Sequence, residues 1–184
     1  GCKSVIEEAV KYALERRQFG QPIAHFDAIK GKVADMVIRT YTSDSMAYRT
    51  IGLIQDAVDE LDKSAPDYYL KAGEATEQFA IEASMAKVYV SESFGFCSDT
   101  GIQILGGYGF SEEYPMAAPF RDTRIDRIWE GTNEINRQII TGYMMKKALM
   151  EELPIRDYMS AVDEFLDGTI KIESDGLCAD EINA

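Results

Sequence analysis

Glu130 is the residue of this sequence whose neighbours best suit proton transfer. It stands between the only tryptophan, Trp129, and a glycine, Gly131. A carboxylate beside an apolar side chain loses hydration, so its pKa rises toward neutrality. A glutamate with such a pKa can act as a general base. The same segment also fits a solvated glutamate in a loop, which is the commoner case, and from this segment alone both interpretations stay open.

The residues after Glu130 predict the start of a helix. Thr132 or Asn133 can cap the helix N-terminus with a side-chain oxygen, and Glu134 in the first turn suits the positive end of the helix dipole. The helix is predicted to continue toward Leu153. Glu130 is therefore expected just outside a helix N-terminus.

A glycine-rich stretch, LGGYGF from Leu105 to Phe110, is the second candidate. A Rossmann phosphate loop is excluded, because that motif needs a strand before the glycines and a helix directly after them. Here a long predicted helix precedes the glycines and an aromatic, proline-containing loop follows. A glycine cluster is most often a helix C-cap. Glycine also lets a ligand approach the backbone closely, so a ligand contact remains an alternative.

The third candidate is the segment from Arg16 to Ile23, which reads RRQFGQPI. Locally it is a helix C-terminus with favourable cations and a glycine cap. No metal site is predicted, since the only histidine, His25, and three widely spaced cysteines give no metal-ligand pattern.

The elements that must position these segments are helices, because apolar residues recur every three or four positions. Helices are predicted over about 4–17, 26–61 and 69–105, from 132 toward 153, and over 155–166 in a short amphipathic segment. Residues 106–120 are predicted to form a loop, and a weak strand-like alternation occurs at 169–172. The predicted buried faces include, along the chain, Val5, Ala9, Ala13, Met36, Val37, Ile51 and Cys97.

Long helices joined by short turns predict an all-α fold. We expect an antiparallel, up-and-down four-helix bundle with a short additional C-terminal helix. Residues 1–153 are assigned to the bundle, and residues 154–184 to the short helix and an acidic tail.

Composition narrows the classes of function. The 184 residues carry 19 Lys and Arg against 32 Asp and Glu, a formal charge of −13. Such an acidic chain is unsuited to nucleic acid or to an anionic membrane surface. Cysteines Cys2, Cys97 and Cys178 form no disulfide framework, and free thiols fit a reducing compartment. No secretory signal or membrane-length apolar run is present, so the cytoplasm is the expected location.

Several short motifs follow one another along the chain. They are Arg16-x-Gln18-Phe19-Gly20-x-Pro22-Ile23, Ala34-Asp35-Met36, Ala86-Lys87, Ser91-Glu92, Asp99-x-x-Ile102-Gln103-x-x-Gly106-Gly107-x-Gly109-Phe110, Arg121-Asp122 and Ile128-Trp129-Glu130-Gly131-Thr132-Asn133-Glu134-Ile135-x-Arg137. In this order they resemble the C-terminal helical domain of the acyl-CoA dehydrogenases. The resemblance covers about residues 1–150. Two shorter stretches, 81–87 and 130–133, are similar to the very-long-chain branch of the family.

The resemblance implies a four-helix bundle and a reaction, the α,β-dehydrogenation of an acyl-CoA to the trans-2-enoyl-CoA. In the family, a glutamate directly before Gly-Thr removes the α-proton, and the matching residue here is Glu130. The β-hydrogen leaves as hydride to N5 of FAD, whose electrons pass to electron-transfer flavoprotein. An acyl-CoA oxidase on the same fold, or a non-catalytic helical interaction module, is the alternative.

The resemblance also assigns ligand contacts residue by residue. FAD bound mainly by a partner subunit is expected to contact Arg16, Gln18 and Phe19, and its ADP portion to lie along Gln103, Gly106 and Gly107. The FAD of the same subunit is expected near Thr132 and Glu134, and Trp129 and Gly131 are expected at the acyl pocket. Asp27 and Glu134 stand where the family often has glutamine, which weakens those two contacts because a carboxylate donates no hydrogen bond.

The family's N-terminal helical domain and β-domain have no counterpart in this sequence. The chain alone is therefore expected to fold but to bind FAD weakly and to lack activity. Flavin sites shared between subunits imply a homo-oligomer, a dimer or tetramer, for the intact enzyme.

Overall fold

A computed structural model describes residues 1–168 of the chain, so the predicted alternation at 169–172, the acidic tail and Cys178 lie outside the described residues. Within residues 1–168 the chain forms eight α-helices, a two-stranded antiparallel hairpin and a 3-10 turn over Ile23–His25. The helices are α1 (Cys2–Glu15), α2 (Asp27–Asp59), α3 (Tyr68–Glu77), α4 (Ala80–Leu105), α5 (Gly107–Phe110), α6 (Ala117–Asp126), α7 (Asn133–Leu149) and α8 (Ile155–Leu166); the strands are β1 (Arg17–Gln18) and β2 (Gln21–Pro22).

The all-α prediction is confirmed. No helix in the described part of the chain is long and apolar enough to cross a membrane. The chain divides into two compact units, residues 1–141 and the segment from Gly142 onward. The second unit contains the end of α7 and α8. The predicted family-domain boundary at residue 153 stays a prediction.

The core of the first unit lies where α1 meets α2 and α4. One face of α1 carries small side chains, which let the neighbouring helices approach closely, and Val5, Ala9 and Ala13 are at most 2% exposed. The other fully packed members of this core are Met36, Cys97, Ile104, Leu105 and Met116.

Contacts along the lengths of α1, α2 and α4 show the relative directions of these three helices. Lys3 of α1 pairs with Asp44 of α2 at 2.6 Å, whereas Ala13 lines a cavity with Val33, so α1 and α2 run antiparallel. Gly1 lies against Phe94 of α4 and Val5 lies against Gly101, so α1 and α4 run in the same direction. This is the up-down-up order of the predicted bundle.

Two predicted boundaries are wrong. The helix predicted over 69–105 is broken after α3, where the amide of Phe79 bonds to the Thr76 carbonyl three residues back, and it restarts at Ala80. The predicted loop over 106–120 contains the single turn α5 and the start of α6. Pro119 is tolerated there because it lies in the first turn of α6, where the amides have no partner within the helix.

Part of the predicted buried stripe of α2 is also wrong for this chain. Val37 is 48% exposed and Ile51 is 61% exposed, although Met36 is fully buried. With 33 residues, α2 is about 50 Å long at 1.5 Å per residue. The 14 residues of α1 lie beside the part of α2 between Val33 and Asp44, so Ile51 lies beyond the helix that would cover it. Val37 lies within that part, so its exposure comes from the face it occupies and not from the length of α1.

Candidate functional site

The turn between α6 and α7 carries Glu130, and its backbone is left-handed at two successive residues. Glu130 has φ = 52° and Gly131 has φ = 82°. A residue with a β-carbon pays about 1–2 kcal/mol for this conformation. The Asn133 amide donates to the Arg127 carbonyl at 3.1 Å and closes the turn locally, and contacts from neighbouring helices hold it further.

Those contacts converge on the carbonyl oxygen of Gly131. Lys87 of α4 donates to it from Nζ at 2.8 Å, and Asn136 of α7 donates to it from Nδ2, also at 2.8 Å. The same Asn136 amide reaches the Thr132 carbonyl at 3.1 Å. The peptide that follows the two left-handed residues is therefore fixed from two helices at once.

A polar cluster joins the first turn of α7 to α4 beside this carbonyl. Asn133 is 2% exposed; it accepts from Lys87 Nζ at 2.8 Å and donates from Nδ2 to Ser91 Oγ at 3.0 Å and to Glu92 Oε1 at 3.2 Å. Arg137 donates to the same Glu92 oxygen at 2.6 Å. Partial burial raises the pKa of Glu92, but the hydrogen bonds from Arg137 and Asn133 outweigh it and leave that pKa below its usual value.

The start of α7 follows the sequence prediction. Thr132 Oγ1 accepts a hydrogen bond from the Ile135 amide at 3.3 Å, which makes Thr132 the cap. Glu134 lies in the first turn, where a bond to its own amide and the Thr132 hydroxyl lower the pKa of its carboxyl. Asn133, the other predicted cap, is instead turned into the contact with α4.

The environment of Glu130 differs from the expectation in one respect. Its side chain is exposed, and the neighbouring Trp129 is 54% exposed. The tryptophan therefore does not by itself bury the carboxylate. Within the described residues, the chain orients Glu130 and leaves open the space in front of it.

A second group of predicted residues meets at a cavity of about 620 Å³, although two segments about 90 positions apart in sequence supply them. Arg16 and Gln18 come from the end of α1 and the hairpin, and Gly106 and Gly107 from the end of α4. Phe19 and Gln103 do not line the cavity. Phe19 sits at the hairpin tip and is 92% exposed, and Gln103 faces solvent from α4.

Three tyrosines in the wall of this cavity were not among the predicted site residues. Tyr108 packs edge-on against Tyr12, with 6.3 Å between ring centroids, and in a tilted arrangement against Tyr114 at 4.9 Å. The guanidinium of Arg16 lies 5.8 Å from the Tyr108 centroid. The cavity thus combines aromatic faces with the cation of Arg16 and the carboxylate of Glu113. A β-carbon added at Gly106 or Gly107 would meet no atom within 4 Å, so the backbone there is open to a ligand.

Comparison with known proteins identifies the family of the chain. A family model described as the C-terminal domain of acyl-CoA dehydrogenase matches residues 1–145. The chain belongs to the acyl-CoA dehydrogenase family. A probable acyl-CoA dehydrogenase of Bacillus subtilis is 42% identical over 164 residues, which is 89% of this chain and 28% of that protein. A caffeyl-CoA reductase-Etf complex subunit of Acetobacterium woodii is 34% identical over 79% of this chain and 34% of that protein.

The crystal structure of a Bacillus anthracis acyl-CoA dehydrogenase complexed with FAD is similar to the chain in fold. It superposes with a TM-score of 0.88 at 38% identity, over 97% of this chain and 30% of that one. The chain therefore spans about a third or less of the relatives that it matches.

Proposed function

We propose that the chain is the C-terminal domain of an FAD-dependent acyl-CoA dehydrogenase that oxidises an acyl-CoA to the trans-2-enoyl-CoA, the step that opens fatty-acid β-oxidation. Glu130 removes the α-proton. The observation that carries this proposal is the turn at Glu130 and Gly131, which two helices hold in a left-handed conformation with the carboxylate exposed. Strain of this kind persists at functional sites where the surroundings over-determine it.

The chemistry explains why the base must be held and then enclosed. The α-proton of a thioester is far too weakly acidic for an ordinary carboxylate in water, so the site must exclude water and polarise the thioester carbonyl. The described residues orient Glu130, with Trp129 and Gly131 beside the space for the acyl chain. The remaining walls must come from other parts of the intact protein.

The cavity at the end of α4 supports the proposal of an FAD site. Arg16 offers a cation and Gln18 an amide to the diphosphate, and the open glycines Gly106 and Gly107 allow close approach of the backbone. When bound, FAD supplies the acceptor for the β-hydrogen. We retain Phe19, Gln103, Thr132 and Glu134 as further proposed contacts.

Asp27 is given no role at FAD, because its carboxylate donates no hydrogen bond and pairs with Lys30 at 3.0 Å. Sharing of FAD between subunits, and with it a dimer or tetramer, is proposed from the family resemblance, and the division of the proposed contacts into two sets is consistent with it. Electron-transfer flavoprotein is the proposed electron acceptor, and one relative is itself named as part of an Etf complex.

A reducing compartment such as the cytoplasm is proposed because Cys2 and Cys97 are both free thiols.

Substitution of Glu130 by Gln in the intact protein tests the proposal. Glutamine keeps the shape and removes the base, so we expect turnover of acyl-CoA to fall by a factor of about 10²–10⁴. Exchange of the substrate α-proton with deuterated water should be lost in parallel, while the FAD content stays unchanged. Turnover equal to that of the unsubstituted protein would refute the role of Glu130.

The direction of the reaction is a separate question, since one relative is named as a reductase. In the reverse direction, Glu130 would return the proton to the α-carbon. Assays with acyl-CoA plus electron-transfer flavoprotein, with acyl-CoA plus oxygen, and with enoyl-CoA plus reduced flavoprotein distinguish a dehydrogenase, an oxidase and a reductase. Comparing butyryl-CoA, octanoyl-CoA and palmitoyl-CoA tests membership of the very-long-chain branch.

A further inference from the structure

We infer that Lys87 is a positioning residue for Glu130. Lys87 lies on α4, and hydrogen bonds from its ammonium group hold the turn that orients the Glu130 carboxylate. The inference rests on the proposed function of Glu130. Lys87 lies 43 positions before Glu130 in sequence.

The ammonium group of Lys87 connects α4 to the C-terminal half of the turn, whose other end lies against α4 where Arg127 contacts Gly95. Its Nζ donates to Gly131 O and to Asn133 Oδ1, both at 2.8 Å, and the side chain is partly buried. Hydrogen bonds from a charged donor are stronger than neutral ones. They are stronger still where the donor is partly withdrawn from water. Lys87 is thus tied to the carbonyl directly after the left-handed pair and to the buried asparagine that opens α7.

Asn136 shares the Gly131 carbonyl, but it cannot replace Lys87. It belongs to α7, the same helix that the turn leads into, and so it holds the turn only relative to that helix. Lys87 belongs to α4, which is packed into the core through Cys97 and Ile104. Among residues 1–168, Lys87 is the side chain that ties the Gly131 carbonyl directly to a helix of the core. Removal of the ammonium group should let Glu130 shift without detaching α7.

The attachment of α7 to α4 has other contacts that survive the loss of Lys87. Asn133 still bonds to Ser91 and Glu92, and Arg137 still bonds to Glu92. A purely structural role for Lys87 would appear as lower stability and lower FAD content. A positioning role would appear as a lower kcat with little change in either.

The test compares Lys87→Met, Lys87→Arg and Lys71→Met in the intact, FAD-loaded protein, with the acyl-CoA series as substrate. A displacement of about 1 Å at a reacting group costs on the order of 10²-fold, so Lys87→Met is expected to lower kcat by about 10–100-fold. KM, FAD content and melting temperature should stay close to those of the parent. Arg retains the charge and the donors, and it should recover part of kcat.

Lys71→Met is the matched control. Lys71 is a half-exposed lysine that pairs with Asp67 of the preceding turn at 3.0 Å, and exposed pairs of this kind contribute little. This variant should match the parent. Unchanged kcat in Lys87→Met, or a loss that follows FAD content and melting temperature, would overturn the inference. Lys87→Gln, which keeps a neutral donor, serves as a second variant if Lys87→Met does not fold.

Including Glu130→Gln in the same assays separates the two proposals. If Glu130→Gln is inactive and Lys87→Met is normal, the inference fails and the proposed function stands. If Glu130→Gln retains turnover, the proposed function itself fails.

Discussion

At the scale of single residues, the direction of Glu130 depends on the absence of a side chain at Gly131. Gly131 has φ = 82°, and a β-carbon there would lie 3.1 Å from Nδ2 of Asn136. That nitrogen is the same donor that holds the Gly131 carbonyl. Any larger residue would therefore strain the backbone and push away its own anchor, so glycine is required at this position for two independent reasons.

Glu92 gives a prediction at the same scale. Its pKa lies below the usual value because bonds from Arg137 and Asn133 outweigh burial. A carboxylate with a lowered pKa stabilises the fold above its unfolded-state pKa of about 4.3, and this contribution is lost as the pH falls through the folded-state value. Glu92→Gln should therefore lower the unfolding free energy of the chain at pH 7 and have a smaller effect near pH 3.

Urea unfolding at several pH values, followed by circular dichroism, measures this difference. The matched background is Arg137→Met, which removes the principal partner of Glu92. In that background Glu92→Gln should lose most of its dependence on pH. If Glu92→Gln lowered the unfolding free energy equally at pH 7 and pH 3 in the parent background, the ionised carboxylate would gain no stability from its contact with Arg137 and Asn133.

The sequence indicates candidate residues of the site, such as Glu130 and Thr132. It does not indicate which contacts hold the turn that carries Glu130. The neighbours of Glu130 make it a candidate, and the family resemblance assigns its proposed role. The cap at Thr132 is predictable because capping depends on residues within one turn. Lys87 appeared in the sequence only as a member of a motif, with no role. Its partner lies 44 positions away across a helix-helix contact, which local spacing does not encode.

At the scale of elements, the turn α5 closes the end of α4 through an approach that only glycine permits. A β-carbon at Gly109 would lie 2.8 Å from both Cα and the carbonyl oxygen of Ile102, which are backbone atoms and cannot rotate away. Overpacking of this kind costs about 1–3 kcal/mol. Gly109→Ala should lower the unfolding free energy of the chain by about that amount in urea unfolding.

Gly107→Ala in the same turn is the control. A β-carbon at Gly107 would meet no atom within 4 Å, and alanine is favoured over glycine in helices by up to about 1 kcal/mol. This variant should be neutral or slightly stabilised. If the two variants were destabilised equally, the cost would come from helix geometry and not from the approach to Ile102.

Most of the helices were predictable, because the spacing of their apolar residues indicates which face packs against the core. The break between α3 and α4 was not. Apolar residues keep their three- and four-residue spacing across Gln78 and Phe79, and neither proline nor glycine marks the position. The exposure of Ile51 on α2 was missed for a different reason, since the spacing shows an apolar face without showing the length of the helix that covers it.

At the scale of the whole molecule, the two candidate centres lie on surfaces that this chain leaves accessible. Glu130 is exposed at one, and Phe19 is 92% exposed beside the cavity that brings Arg16 to Gly106 at the other. The chain spans 28–34% of the relatives and of the FAD-bound structure that it matches. The proposed reaction needs FAD and acyl-CoA to be enclosed, so it needs surfaces beyond those described.

This leads to a prediction for the 184-residue chain on its own. A helical core around α1, α2 and α4 is present, so the chain should show a helical circular dichroism spectrum and a cooperative unfolding transition. FAD should bind weakly, because an open cavity of about 620 Å³ supplies only part of the contacts that a cofactor of this size requires. Equilibrium dialysis with FAD measures the affinity, with the intact protein as reference. A tight, stoichiometric complex of the chain alone would mean that these helices hold the flavin without help, and the proposal that other domains supply most of its site would have to be abandoned.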